Sequence, residues 1–131
     1  MINNDMWIFN SATGDPMLLD SESGLRTLHK SFLEFLASAE KAATFAAETA
    51  GDPSPYEEFL GGLRVQRTDA EAQLRFTEDR WLELSGRTED LKGFAEKILV
   101  TEEQGHRHWY GAPVSLIFEA DDYCPPERSA P

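Results

Sequence analysis

Hydrophobic positions recur at two different spacings along the chain, and the change from one to the other marks out its elements. In residues 22–49, leucine, phenylalanine and alanine return every three or four positions, which is typical of one buried helical face. A glycine and a proline shortly after this stretch are expected to end the helix. The same spacing in residues 86–99 predicts a second helix, with Leu91, Phe94 and Ile98 in the core.

Between the two helices the spacing of apolar residues changes to two, as half-buried antiparallel strands require. Leucine, valine and phenylalanine alternate with polar residues in 63–68, 72–77 and 80–85. The links between these stretches are only a few residues long, so we expect hairpin connections. The pattern therefore predicts a meander of three strands.

A short apolar strand at residues 6–10 precedes the first helix, and strands at 106–110 and 114–119 follow the second. Two amphipathic helices and a sheet with one apolar face predict an α+β fold. We expect a two-layer sandwich with a mostly antiparallel sheet of five to six strands and two helices packed on one face. Residues 1–122 form a single domain in this prediction, and the proline-rich residues 123–131 form a flexible C-terminal tail.

The charge balance changes the list of expected partners. The 131 residues include 12 basic and 24 acidic side chains, which gives a net charge of −12. A phosphate-rich partner would be repelled, so we expect no nucleic acid. A basic protein or a cationic ligand would be attracted. The alternative is that the charge only keeps the protein soluble.

The chain shows no sign of export or of membrane insertion. No apolar run approaches the ~18 residues of a membrane-spanning helix, and the N-terminus lacks the basic segment of a signal peptide. The single cysteine, Cys124, excludes an internal disulfide, and its neighbours do not favour a catalytic role. We therefore expect no membrane partner and a cytoplasmic location.

Two of the three histidines, His106 and His108, lie one residue apart in the stretch GHRHWYG. In a strand this spacing places both imidazoles on one face with Tyr110, while Arg107 and Trp109 take the other face. Two imidazoles could share a metal ion, but zinc needs at least one or two further ligands. We favour a structural strand face and expect no metal and no cofactor. The alternative is a small enzyme or metal-dependent protein that uses the two histidines.

No nucleophile motif and no phosphate-binding glycine loop occurs in the chain, so we name no catalytic residue. A third interpretation is a structural or oligomerisation subunit, with the long first helix as its interface. The molecular mass in solution would test that interpretation, and the metal content of the purified protein would test the histidine hypothesis.

Residues 81–122 contain an apolar strand, a serine–glycine turn, a helix, a His-x-His strand and a closing apolar strand. The residues that carry this pattern are Ser85, Gly86, His106, His108, Leu116 and Ile117. The stretch, about a third of the chain, resembles small bacterial immunity proteins of the immunity protein 32 type, from polymorphic toxin systems. The resemblance implies a cytoplasmic, non-enzymatic protein that binds and neutralises a toxin.

The polar face of the predicted sheet and its strand ends are the expected contact region for a basic protein partner. The predicted binding residues are Trp81, Glu83, His106, His108, Trp109 and Glu119. Trp81 and Trp109 are the expected anchors because aromatic residues dominate interface hot spots; each could instead be ordinary core packing. The sequence thus predicts a non-catalytic, acidic protein-binding module, with a toxin-neutralising immunity protein as its most specific form.

Overall fold

The computed structural model describes residues 2–11, 14–54 and 56–121, with the backbone alone for residues 2–5. The fold is α+β, with two helices and one large sheet. Its elements in chain order are β1 (Ile2–Asn10), β2 (Met17–Asp20), α1 (Glu22–Ala37), β3 (Ala42–Glu48), β4 (Glu58–Phe59), β5 (Gly62–Arg67), β6 (Gln73–Phe76), β7 (Leu82–Gly86), α2 (Thr88–Ile98), β8 (His106–Trp109) and β9 (Leu116–Ala120).

The strands form one mixed sheet in the order β6-β7-β5-β3-β1-β2-β9-β8, with β4 paired to β1 beside this path. The pairs β1–β3, β2–β9 and β5–β7 are parallel, and the remaining pairs are antiparallel. The prediction of a mostly antiparallel sheet with five to six strands is therefore wrong. The sheet has nine strands, is mixed, and curls into a half-barrel.

The two ends of the curled sheet meet at the link between β8 and β9. The N–H of Leu74 in β6 donates to the carbonyl oxygen of Ala112 at 3.2 Å, and the N–H of Val114 donates to the carbonyl oxygen of Leu74 at 3.1 Å. Strand β6 begins the strand order and β8 ends it. These bonds cover part of an otherwise open sheet edge, and they bring two distant parts of the chain together.

The first helix predicted for residues 22–49 is wrong in its second half. Helix α1 ends at Ala37, where both the backbone N–H and the hydroxyl of Ser38 donate to the carbonyl oxygen of Phe35, at 3.0 and 2.7 Å. Residues Ala42–Glu48 form strand β3, which lies between β1 and β5 near the middle of the sheet.

Strand β3 forms despite a composition that favours a helix. Alanine has the highest helix propensity, but Ala43, Phe45 and Ala47 also repeat with a period of two and all contact the core. Phe45 is fully buried. Hydrogen bonds to both neighbouring strands and the burial of this phenylalanine outweigh the local preference of the alanines.

The meander predicted for the three middle strands is also wrong. The strands exist, but β7 lies between β5 and β6 and runs parallel to β5. Leu82 and Leu84 of β7 are both fully buried, whereas β6 buries Leu74 and leaves Phe76 41% exposed. A strand with two buried leucines takes the inner position, and the strand with an exposed phenylalanine takes the edge.

Both helices pack against the same face of the sheet, around one main core. The predicted core residues of α2, Leu91, Phe94 and Ile98, are fully buried, which confirms that prediction. The ring of Phe94 lies at the centre, with its centroid 5.6 Å from that of Phe32 and 5.3 Å from that of Phe118. Because the second helix is held at this point, its N-terminal turn has a defined position at the closed end of the sheet.

Candidate functional site

The predicted binding residues lie in separate places on the sheet. Their positions are Trp81 and Glu83 at β7, His106, His108 and Trp109 on β8, and Glu119 on β9. Four strands separate β7 from β9 in the strand order. All except Trp109 alternate with inward-facing residues of their strands and lie on the outer face, which is the sheet face turned away from the helices. The structure therefore divides the predicted site into two outer patches and one inner residue.

The first patch, the tryptophan patch, consists of Arg64, Asp79, Trp81 and Glu83. The guanidinium carbon of Arg64 lies 4.4 Å from the centroid of the Trp81 ring. The same guanidinium donates two hydrogen bonds to Asp79, at 3.0 and 2.6 Å. Beneath the ring lies Gly61, where a Cβ would overlap the indole nitrogen. Trp81 is thus held between an arginine and the backbone of a glycine.

Opposite charges alternate across this patch. The hydrogen bond from Arg64, followed by one from the Thr77 hydroxyl, holds the pKa of Asp79 well below its usual range. The same bond raises the pKa of Arg64. Glu83 lies in register between Arg64 and Arg75 on the neighbouring strands. Counted together with Arg75, the tryptophan patch carries two positive and two negative charges, so it adds little to the acidic field of the molecule.

The second patch, the histidine patch, consists of His106, His108, Tyr110 and Glu119. The imidazole centroids lie 5.2 Å apart, and His108 stacks on Tyr110 at 5.6 Å with an angle of 7° between the rings. The expected shared strand face is confirmed by these contacts. Glu119 lies opposite His106 in the antiparallel register of β8 and β9.

Glu119 is a carboxylate close to the two imidazoles in register, but the described residues do not form a metal site there. Within the described residues, no three side chains of histidine, cysteine, aspartate or glutamate are placed to hold one metal ion. Cys124 lies outside the described residues. The observed feature of the histidine pair is therefore its ring contacts along the strand.

Trp109 lies on the inner face, between the core and the surface. Its ring meets Phe94 edge to face, with centroids 5.1 Å apart and an angle of 73°. Its far edge lies over Gly111, where a Cβ would overlap the ring. The side chain is half-buried. Trp109 therefore packs against the core on one side and borders an open space on the other.

That open space is a groove at the place where the sheet closes, here called the seam groove. It has a volume of about 510 Å³. Its lining residues are Glu71, Ala72, Gln73, Glu89, Asp90, Gly93, Trp109, Tyr110, Gly111 and Ala112. Three parts of the chain contribute these residues: the start of β6, the first turns of α2, and the end of β8 with its following link.

The seam groove is lined by three carboxylates and no basic side chain. Asp90 accepts hydrogen bonds from Arg87 at 3.0 Å and from the backbone N–H of Ala72 at 3.1 Å, and both bonds lower its pKa. Asp90 also raises the pKa of Arg87, with smaller contributions from the negative charges of Glu71 and Glu89. One guanidinium thus faces three carboxylates, which leaves the groove negatively charged.

Sequence reasoning did not find this groove. Glu71, Glu89 and Gly93 were not among the predicted binding residues, because nothing in the sequence places residue 71 beside α2. The hydrogen bonds that close the sheet create that proximity. A weak signal was present in Gly93, since a glycine inside a helix lowers its stability and calls for an explanation.

A smaller cavity of about 310 Å³ lies near the end of α1. Arg67 borders it and donates a hydrogen bond to the carbonyl oxygen of Phe35 at 2.6 Å. Its guanidinium carbon also lies 4.9 Å from the Phe35 ring centroid. This carbonyl also accepts the two hydrogen bonds from Ser38, and a cation at the C-terminal end of a helix is favoured by the helix dipole. We therefore assign Arg67 a structural role.

No family model, no curated protein and no solved structure matches this chain. The resemblance of residues 81–122 to immunity proteins therefore stays a prediction. Among the helices in the described part of the chain, neither is long and apolar enough to cross a membrane.

Proposed function

We propose that this protein is a non-catalytic, acidic protein-binding module whose partner is a basic protein. The seam groove is the observation that supports this most directly, because three carboxylates and the edge of Trp109 line one open space without a basic side chain. The net charge of −12 adds attraction at longer range. Of the two expected anchors, Trp109 lines this groove, and Trp81 is packed in the tryptophan patch.

The pairing of the arginines supports a basic partner in a second way. Among the described residues, four arginines form ion pairs with carboxylates, and these are Arg26–Glu22, Arg64–Asp79, Arg80–Glu58 and Arg87–Asp90. Such exposed pairs add little to stability. They do, however, occupy guanidinium groups that could otherwise bind an acidic partner, while the overall excess of carboxylates remains.

The more specific form of the proposal is a toxin-neutralising immunity protein. The resemblance of residues 81–122 supports it, and this stretch includes α2 and β8, which supply two walls of the seam groove. An inhibitor of this kind acts by occupying the surface of its target. Binding strength and placement, rather than a reactive side chain, then determine its activity.

A growth experiment tests the proposal, using the product of the neighbouring gene as the candidate partner. Expression of that product alone should arrest growth, and co-expression of this chain should restore it. The double variant Glu71→Lys/Glu89→Lys should fail to restore growth at the same soluble level, because it reverses the charge of the groove. Failure of the unchanged chain to restore growth, with no complex formed between the two proteins, would contradict the proposed function.

A further inference from the structure

We propose that the seam groove receives one arginine side chain of the basic partner, an inference that rests on the proposed function. The groove combines the two features that recognise a guanidinium group: an aromatic ring and several carboxylates. The partner is thus expected to present an exposed arginine at the centre of its contact surface.

The aromatic wall of the groove is fixed before any partner arrives. The Trp109 ring rests on Phe94 at 5.1 Å and on the backbone at Gly111. Its half-buried position leaves part of the ring open to the groove. A planar guanidinium can stack on such a ring with little loss of conformational freedom, because the ring is already ordered.

The carboxylates of the groove fall into two kinds. The carboxylate of Asp90 already accepts hydrogen bonds from Arg87 and from the backbone N–H of Ala72. The side-chain carboxylates of Glu71 and Glu89, in contrast, form neither a hydrogen bond nor an ion pair with any described residue, so both remain available to a ligand. The five N–H donors of a guanidinium can reach two carboxylates at once, which the point charge of a lysine ammonium does less well. This favours arginine over lysine.

Gly93 keeps the groove open. Apart from its chain neighbours and the backbone of α2 itself, a Cβ at this position would have no atom of the described residues within 4 Å, so no packing contact requires a glycine there. Glycine inside a helix is less stable than alanine. The volume of about 510 Å³ lies within the range of about 300–1,000 Å³ found for ligand sites. A larger side chain at position 93 would occupy the space in which we place the arginine.

A titration of the full chain tests the groove without any partner. The probe is Nα-acetyl-arginine methylamide, followed in two-dimensional ¹H–¹⁵N spectra. Saturable shifts should appear at the amides of Gly93 and Gly111 and at the indole N–H of Trp109. The citrulline analogue, which has the same shape and no charge, should bind at least tenfold more weakly. The lysine analogue should bind at least threefold more weakly than the arginine probe.

Two pairs of variants separate the shape of the groove from its charge. Gly93→Phe should weaken probe binding at least tenfold, whereas Gly93→Ala should bind within twofold of the unchanged chain. Glu71→Gln/Glu89→Gln should also lose at least tenfold. Its control, Glu78→Gln/Glu103→Gln, removes two exposed carboxylates outside the groove lining and should bind normally. Circular dichroism and thermal midpoints check that each variant is folded.

The outcomes of these experiments test the arginine site separately from the proposed function. Equal binding of the citrulline analogue, shifts confined to other residues, or unchanged binding by Gly93→Phe would overturn the arginine site. If the probe does not bind but a basic partner still does, the arginine site is wrong and the proposed function stands. If the probe binds as expected and no basic protein does, the arginine site stands and the proposed function is wrong.

Discussion

Gly61 and Gly93 lack a side chain for opposite physical reasons. At Gly61, a Cβ would overlap the indole of Trp81, so only glycine lets that ring lie on the backbone. At Gly93, a Cβ would meet no atom of the described residues within 4 Å beyond its chain neighbours and the backbone of its own helix. The first glycine is needed by the fold, and the second leaves room at the surface of α2.

This contrast predicts opposite signs for the same substitution. Gly93→Ala should raise the free energy of unfolding by about 0.5–1 kcal/mol, because alanine is the better helix former. Gly61→Ala should lower it, because the Trp81 ring must move. Urea denaturation followed by circular dichroism measures both values. Destabilisation by Gly93→Ala would show that the position is not open.

Phe94 is a fully buried residue that joins three other elements in the core. Its ring contacts Phe32, Phe118 and Trp109, which come from α1, β9 and β8. Truncation to alanine should cost about 3–5 kcal/mol through lost burial and the remaining cavity. The control Phe76→Ala, at a position 41% exposed, should change stability much less. Equal unfolding midpoints for the two variants would contradict this account of the core.

At the scale of elements, α2 could be predicted from its sequence and the second half of the first helix could not. In α2 the spacing of Leu91, Phe94 and Ile98 is compatible with a helix and not with a strand. In residues 42–48 the alanines fit both a helix and a strand, and pairing with β1 and β5 decides the outcome. The order of β5, β6 and β7 in the sheet could likewise not be predicted. The short links between these strands restrict their directions, but they do not determine which strands become neighbours.

The start of α1 is a clearly defined helix terminus. The hydroxyl of Ser21 accepts a hydrogen bond from the N–H of Gly24 at 3.0 Å, and Asp20 accepts one from the N–H of Ser21 at 2.7 Å. Ser21→Ala should therefore cost about 1 kcal/mol of stability. The control Ser23→Ala, at an exposed position, should cost much less. Chemical denaturation compares the two, and an equal loss would refute the assigned cap.

The start of α2 should give the protein a measurable acid sensitivity. Arg87 lowers the pKa of Asp90 below its usual 3.8, so the folded state favours the charged carboxylate. Its contribution is fully present above the unfolded pKa and is lost as pH falls below about 4. The stability difference between the unchanged chain and Asp90→Asn should be constant at neutral pH and shrink below about pH 4.

Denaturant titrations across this pH range measure that difference. The variant Glu103→Gln serves as the control, since Glu103 is exposed and forms no ion pair with a described residue. The difference for the control should stay small throughout. A difference for Asp90→Asn that widens as pH falls would contradict the stabilising role of the Arg87–Asp90 pair.

At the scale of the whole molecule, closure of the sheet creates the candidate site. The seam groove joins residues that are far apart in sequence, and Leu74 makes the hydrogen bonds that bring them together. The sequence predicted Trp109 as an anchor and an acidic surface, but it could not predict which carboxylates would surround that tryptophan. The carboxylates that surround Trp109 are determined by the contact between β6 and the link after β8.

The central claim is that this protein binds a basic protein through its acidic surface, and association kinetics with the purified partner test it most directly. The association rate should fall at least tenfold between about 20 and 150 mM salt, with a much smaller change in the dissociation rate. In Glu71→Gln/Glu89→Gln, association should be slower at low salt and less sensitive to salt. An acidic partner whose association rate is independent of salt, in the unchanged chain and in this variant alike, would contradict the claim.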